Sequence, residues 1–201
     1  MNKKQTIAIL APLVLIGVMI PVFRWLAGGL GETLGWYLGL VIYWILWGAI
    51  FPFLMIGKGK IKQLIAPQRL NARIFLLVLF PIAMASLYQL IPGLEYEKQS
   101  AWILLMYLST TFGNGFFEEV LWRGVYMTLF PDNLMFRYIW PGIWFALWHY
   151  APVSVHADGN VLMMMIGSGL FGFYLSFLAK QTDSIWWNIV AHTLGGMVMI
   201  G

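Results

Sequence analysis

Long apolar segments follow one another along the whole chain and are separated by short polar stretches. Charged residues make up 10% of the 201 positions, whereas soluble domains carry about 25%. Within a bilayer the backbone must satisfy its own hydrogen bonds, so apolar segments of this length predict membrane-spanning helices. We therefore expect an all-α, polytopic transmembrane helix bundle that forms a single integral membrane domain over residues 1–201.

The apolar segments predict about seven helices, near residues 6–27, 33–57, 74–92, 100–130, 138–152, 161–179 and 185–200. A span needs about 20 residues, so 138–152 and 185–200 are short. The first apolar run follows two lysines, as in a signal peptide, but no small-residue cleavage site follows it. We therefore interpret it as an uncleaved first span. The absence of cysteine excludes disulfides and a thiolate nucleophile.

Basic residues mark the side of the membrane on which the loops lie. They crowd the two ends of the first pair of spans, at Lys3, Lys4, Lys58, Lys60, Lys62, Arg69 and Arg73. Because cytoplasmic loops carry an excess of Lys and Arg, this pattern predicts a cytoplasmic N-terminus in the cell membrane. The same topology puts Lys180 inside and Glu32, Glu95 and Glu97 outside. The segment 58–73 is either an amphipathic stretch on the membrane surface or a plain cytoplasmic loop.

The net charge of +4 does not call for a nucleic-acid partner, because the basic residues flank apolar spans. The expected partners are membrane lipid and a peptide or protein.

Ionisable residues lie inside three of the predicted spans. Glu118 and Glu119 are deep in 100–130, and His149 and His192 are in later spans. A charged group at membrane depth costs roughly 3 kcal/mol, so such residues usually have a function. At 1.5 Å per residue, Glu118 and His149 lie about 18 Å and His192 about 12 Å above the cytoplasmic ends of their spans. We expect one shared, water-accessible pocket in the cytoplasmic half of the membrane.

The spacing within the fourth span suggests different roles for its charged residues. Glu119 and Arg123 are four apart and share a helix face, so they can pair; alternatively, Arg123 binds a substrate carboxylate. Glu118 is rotated by about 100° and is expected to point elsewhere, free to act as a general base. Asn114, one turn earlier, could orient Glu118. A purely structural polar clasp between helices is the competing interpretation.

Each membrane histidine shares a helix face with a residue four positions earlier, His149 with Phe145 and His192 with Asn188. Two neutral imidazoles and a carboxylate can bind Zn²⁺ or another divalent metal, which makes Glu118, His149 and His192 the candidate metal ligands. A lone membrane histidine more often makes a hydrogen bond between helices.

Other polar or unusual residues receive simpler interpretations. His156 and Asp158 are expected in a solvated loop, and the methionines at 163–165 are expected either to face lipid or to fill gaps in the packing. Ser168 and Gly172 have the small-xxx-small spacing of close helix packing.

The ordered motifs resemble those of the CPBP family of intramembrane proteases, which includes the CAAX proteases and the Abi, bacteriocin-processing proteins. The resemblance covers about residues 100–196 and rests on Glu118-Glu119-x-x-x-Arg123, Phe145-x-x-x-His149 and a late His192 in Trp-Asn-Ile-Val-Ala-His. It implies a helical bundle that hydrolyses a peptide bond in a site open to the cytoplasm.

The resemblance also implies a role for each matching residue. Glu118 is the base that activates water, Glu119 and Arg123 are its structural and substrate-binding partners, and His149 and His192 are site ligands. Members of the family often have Asn or Asp four residues after the last histidine, where this chain has Gly196. Either Asn188 supplies the missing amide or the site lacks one polar group.

Three functions follow from these observations. The first is an intramembrane endopeptidase that acts on a membrane-associated or lipidated substrate. The second is a non-enzymatic membrane partner in regulation or bacteriocin immunity, which the loss of the amide at Gly196 favours. The third, a small proton-coupled transporter, is disfavoured because no internal repeat is visible.

Overall fold

The computed structural model describes residues 1–89, 100–156 and 160–198, and these residues form seven helices and no strand. The helices are α1 (Lys3–Leu30), α2 (Glu32–Leu64), α3 (Ala72–Gln89), α4 (101–129), α5 (135–153), α6 (Val161–Thr182) and α7 (Trp186–Val198). The predicted all-α bundle is confirmed, and each helix corresponds to one predicted segment. The ends of the predicted helices beyond 89 and 198 lie outside the described residues.

Three of these helices, α1, α2 and α6, are long and apolar enough to cross a membrane. A shorter apolar helix covers Ala72–Leu87. The outer faces of the bundle carry large apolar side chains, as contact with lipid requires, and the protein is an integral membrane protein. Met163 and Met164 lie on this outer surface, which agrees with the lipid-facing alternative, whereas Met165 is partly buried.

A single residue connects α1 to α2. Gly31 has φ +84°, a conformation that favours glycine. Four residues later, a Cβ added to Gly35 would lie 2.4 Å from the Ala27 backbone nitrogen, so the two helices touch directly. Small residues therefore determine the tight antiparallel packing of the first two spans.

Contacts between distant segments show which helix ends meet. Lys4 Nζ donates to the Met55 carbonyl at 2.7 Å, and Gln5 Nε2 donates to the Leu129 carbonyl at 2.8 Å. Arg137 pairs with Asp183 at 2.7 Å. The N-terminus, the start of α5 and the ends of α2, α4 and α6 thus lie at one end of the bundle, together with most of the basic residues.

The basic segment after α2 is partly helical. Gly57, with φ +77°, breaks α2, and residues 58–64 form a short helical extension. Leu64 is buried in a cluster with Val120, Met127, Ala179 and Ile185. The plain-loop alternative is therefore wrong for residues 58–64, whose apolar Leu64 packs on the bundle while Lys58 and Lys62 remain exposed. The segment 67–71 is non-helical.

Helix α4 widens around the two adjacent glutamates. Residues Asn114–Glu118 and Val120–Val125 are π-helical, with the wider i→i+5 hydrogen bonding that often marks functional sites. On this part of α4, a Cβ added to Gly115 would lie 2.1 Å from Thr193 Oγ1 and 3.0 Å from the Thr193 backbone nitrogen. The close approach of α4 and α7 at Gly115 brings the residues on either side of Thr193 in α7 close to α4.

We expect Gly115→Ala to destabilise the protein by about 1–3 kcal/mol, because the added methyl group overpacks the contact with Thr193. The matched control is Gly17→Ala in α1, where a Cβ would meet no atom of the described residues within 4 Å. That change should be neutral or slightly stabilising, since alanine favours the helix. Equal unfolding midpoints for the two variants in detergent would contradict the close α4–α7 contact.

Candidate active site

A hydrogen-bond network centres on the fully buried side chain of Glu119. Its Oε1 accepts from Arg123 Nη1 at 3.0 Å and from His192 Nδ1 at 2.9 Å. Its Oε2 accepts from Asn188 Nδ2 at 3.1 Å. Four of the predicted site residues, from α4 and α7, thus form one network inside the bundle, and the predicted Glu119–Arg123 pair is present.

The side chain of Arg123 points into the interior of the bundle and is hydrogen-bonded there. Its Nη2 donates to the Gly172 carbonyl at 2.8 Å, and its guanidinium lies 4.5 Å from the centre of the Phe145 ring. Only 1% of the residue is exposed. Each Nη group makes one hydrogen bond and Nε has no partner among the described residues, so the alternative role, binding a substrate carboxylate, stays a prediction.

Gly172 allows this arrangement by having no side chain. A Cβ there would lie 2.7 Å from Phe145 Cδ1 and 3.3 Å from Arg123 Nη2. The close packing predicted for the small residues of α6 is therefore present at Gly172, where the backbone approaches the site itself.

Glu118 has a different environment from its neighbour. Its Oε1 accepts from Trp148 Nε1 at 3.0 Å. Its Oε2 has no hydrogen-bond partner among the described residues and lies 3.8 Å from His192 Nε2. The expectation that Glu118 points away from the Glu119 face is wrong: the imidazole of His192, with a nitrogen on each side of the ring, reaches both carboxylates.

Asn114 does not orient Glu118. Its Oδ1 instead accepts from Trp44 Nε1 of α2 at 2.9 Å. Trp148 is the residue that holds Glu118, and the sequence analysis assigned it no role. The sequence signal was weak because an indole has a single N–H donor, and its direction depends on packing.

His149 lies at a break in α5. Pro152 has no backbone N–H to donate to the Trp148 carbonyl, and the chain makes a turn at His149. The Nδ1 of His149 lies 2.7 Å from the Phe145 carbonyl, and its ring packs edge-to-face on the Phe145 ring at 4.7 Å. The shared face predicted for these two residues is therefore present.

The partners of both imidazoles indicate their tautomers. A carbonyl and a carboxylate can only accept, so Nδ1 carries the hydrogen in His149 and in His192. The Nε2 atom of each ring is then an acceptor. In His192 this acceptor faces Glu118. The Glu119 carboxylate accepts from Nδ1 on the other side of the ring and so maintains this tautomer.

The donor chemistry of Glu118, His149 and His192 is of the type that binds zinc. Their placement, however, does not form a metal site: within residues 1–89, 100–156 and 160–198, no three His, Cys, Asp or Glu side chains are grouped to hold an ion. As placed, the three residues do not fit a divalent metal, and the requirement for one stays a prediction.

The contacts of Asn188 and Gly196 describe the region of the missing amide, and the substitution of Asn188 for that amide stays a prediction. Asn188 Nδ2 donates to Glu119 and to the Leu175 carbonyl at 2.7 Å, which uses both amide hydrogens. A Cβ at Gly196 would lie 3.1 Å from Thr111 Cγ2, so this position is tightly packed. Asn188 supports Glu119, and the position of Gly196 contributes no polar group.

The predicted solvated loop is only partly described. His156 is partly exposed and lies 3.8 Å from Glu32, at the end of the bundle opposite the basic residues. It is not part of the network around Glu119. Asp158 lies outside the described residues.

The fold and the site together define a class: a membrane-embedded helical bundle with a buried carboxylate–histidine centre. Residues 100–198, about half of the chain, match the family model described as Type II CAAX prenyl endopeptidase Rce1-like. The chain belongs to this family of CAAX proteases and is, in general terms, an intramembrane endopeptidase. No curated protein and no solved structure matches it. The matched stretch contains all six predicted site residues and begins at α4.

Replacing Arg123 by alanine should lower stability as well as activity. The variant leaves Glu119 as a buried carboxylate without its cation, and breaking such a pair costs about 3–5 kcal/mol. Arg137→Ala is the control, because its partner Asp183 is 83% exposed and such a pair contributes about 0–1 kcal/mol. Thermal unfolding in detergent measures both changes. A melting temperature of Arg123→Ala equal to that of Arg137→Ala would rule out a stabilising buried pair.

Proposed function

We propose that the protein hydrolyses a peptide bond with a water molecule activated by Glu118. The observation that carries this proposal is the buried Oε2 of Glu118, which has no hydrogen-bond partner among the described residues and lies 3.8 Å from His192 Nε2. Two acceptors at this separation can share one bridging water. Such a water donates one hydrogen to each acceptor, which leaves a lone pair to attack a carbonyl carbon.

The reaction then needs one proton carrier. Glu118 takes a proton from the water as its oxygen bonds to the peptide carbonyl carbon, which gives a tetrahedral oxyanion. When the carbon–nitrogen bond breaks, Glu118 returns the proton to the departing amine. The apolar wall around Glu118, which includes Trp148, limits competition from bulk water.

The oxyanion requires a hydrogen-bond donor, and Asn188 cannot supply one because both its amide hydrogens are engaged. We assign this role to His149 in its imidazolium form, which takes up a proton from water before the reaction, so that Nε2, an acceptor in the neutral ring, becomes a donor. Glu119 and Arg123 serve the site indirectly. Glu119 keeps Nε2 of His192 an acceptor, and Arg123 compensates the charge of Glu119.

The substrate is proposed to be a membrane-associated or lipidated peptide that enters from the cytoplasmic side. An apolar groove between α2 and α4 supports this assignment. Its lining includes Phe53, Ile61, Phe116 and Phe117, with Lys58 among the lining residues. Glu118 itself does not line the groove, and we propose that a substrate segment bound there extends past Phe117, the preceding residue, to reach the carboxylate.

Glu118→Gln should abolish hydrolysis with little effect on folding, because the amide keeps the shape but cannot accept the proton. We expect a loss of at least about 10²-fold, typical of a missing general base. The measurement is turnover of tagged, prenylated peptides in proteoliposomes. Asp132→Asn, an isosteric change at an exposed carboxylate, is the control and should retain activity.

Turnover by Glu118→Gln at the wild-type rate would exclude this mechanism. A wild-type protein that binds the peptides but never cleaves them would instead support the non-enzymatic role.

The cytoplasmic opening can be tested with single cysteines, because the chain has none of its own. A membrane-impermeant thiol reagent applied to intact cells should label Glu32→Cys at the outer end and spare Asp132→Cys at the basic end. The excess of basic residues near Asp132 is the reason for this expectation. The reverse pattern of labelling would invert the topology and place the groove on the other face.

A further inference from the structure

Tyr43 of α2 is a fully buried residue that lies against the site from outside the matched stretch 100–198. Its hydroxyl accepts from Trp122 Nε1 at 3.0 Å. Its ring stacks on the Trp148 ring, with centroids 4.0 Å apart and planes at 23°. Trp148 is the residue whose indole N–H donates to Glu118 Oε1.

The hydroxyl of Tyr43 connects its ring to a second indole. An indole N–H can only donate, so the oxygen of Tyr43 accepts from Trp122. The Tyr43 ring is therefore held at its hydroxyl by Trp122, while its face is stacked on Trp148, the donor to Glu118.

Three contacts hold α2 in register with α4 at this level. Besides the Tyr43–Trp122 hydrogen bond, Trp44 donates to Asn114, and a Cβ added to Gly48 would lie 2.5 Å from the Cβ of Phe117. Phe117 is the residue before Glu118. The position of Tyr43 relative to the carboxylate is therefore determined by close packing on both sides of Glu118.

We propose that Tyr43 is a positioning residue for Glu118. Its hydroxyl, bound by Trp122, fixes the ring, and the ring holds the Trp148 indole in the orientation that reaches Oε1 of Glu118. With Oε1 held in this way, Oε2 stays directed at His192. The proposal rests on the function proposed above for Glu118, and it extends the site to a helix outside the matched stretch.

The test replaces Tyr43 by phenylalanine, which keeps the stacked ring and removes the hydroxyl. The turnover number should fall about 3- to 10-fold, the effect of one hydrogen bond, while KM stays unchanged because the fully buried Tyr43 offers no surface to a substrate. Turnover of a prenylated peptide in proteoliposomes and the melting temperature in detergent are both measured.

Tyr126→Phe is the matched control. Tyr126 is equally buried, its ring stacks with that of Trp122, and its hydroxyl donates to the Ala8 carbonyl at 2.8 Å. It should lose as much stability as Tyr43→Phe and keep the wild-type turnover number. Unchanged turnover in Tyr43→Phe, or an equal decrease in both variants, would overturn the positioning role.

Trp148→Phe tests the path from Tyr43 to the carboxylate. If losing the Tyr43 hydroxyl acts by loosening the ring that holds Trp148, the double variant Tyr43→Phe/Trp148→Phe should lose less activity than the product of the two single losses. Fully multiplicative losses would overturn the path through Trp148. Glu118→Gln is measured beside them. If Glu118→Gln is active, the proposed function itself is wrong. If Glu118→Gln is inactive while Tyr43→Phe has the wild-type turnover number, only the positioning role is wrong.

Discussion

The buried carboxylate of Glu119 imposes the strictest energetic requirement in the structure. A carboxylate removed from water is tolerated when it is paired and its oxygens are hydrogen-bonded. Glu119 meets this condition with Arg123 one helical turn away and with His192 and Asn188 on α7. The two partners on α7 connect α4 to the last helix of the bundle. The same contacts that stabilise the charge therefore also assemble the site.

Close helix packing is the second requirement, because apolar surface alone does not hold helices together in lipid. The site depends on two glycines where a side chain would collide with a neighbour. Gly115 admits Thr193, which sets the distance between α4 and α7, and Gly172 admits Phe145 and presents its carbonyl to Arg123. The polar network therefore depends on the small residues. The hydrogen bonds of Glu119 can form between α4 and α7 because the two backbones approach each other closely.

Spacing along single helices predicted part of this site correctly. Glu119 and Arg123, and Asn188 and His192, lie four residues apart, and helical geometry alone puts each pair on one face. The seven helices and their alternating direction follow from apolar length and from the basic residues near the helix ends. The same reasoning failed for Glu118 and Asn114. Regular α-helical geometry sends Glu118 away from Glu119, but α4 is π-helical here and His192 lies between the two carboxylates.

The sequence by itself determined that this chain is an all-helical membrane protein and which ionisable residues would be forced into its interior. Both follow from the cost of exposing backbone or charge to lipid, which depends on composition and order along the chain. Only the tertiary structure decided the partners: Trp44 for Asn114, Trp148 for Glu118, and the Gly172 carbonyl for Arg123. Those choices depend on contacts between residues from 30 to 70 positions apart. Such contacts arise from the way whole helices pack, which no local pattern in the chain records.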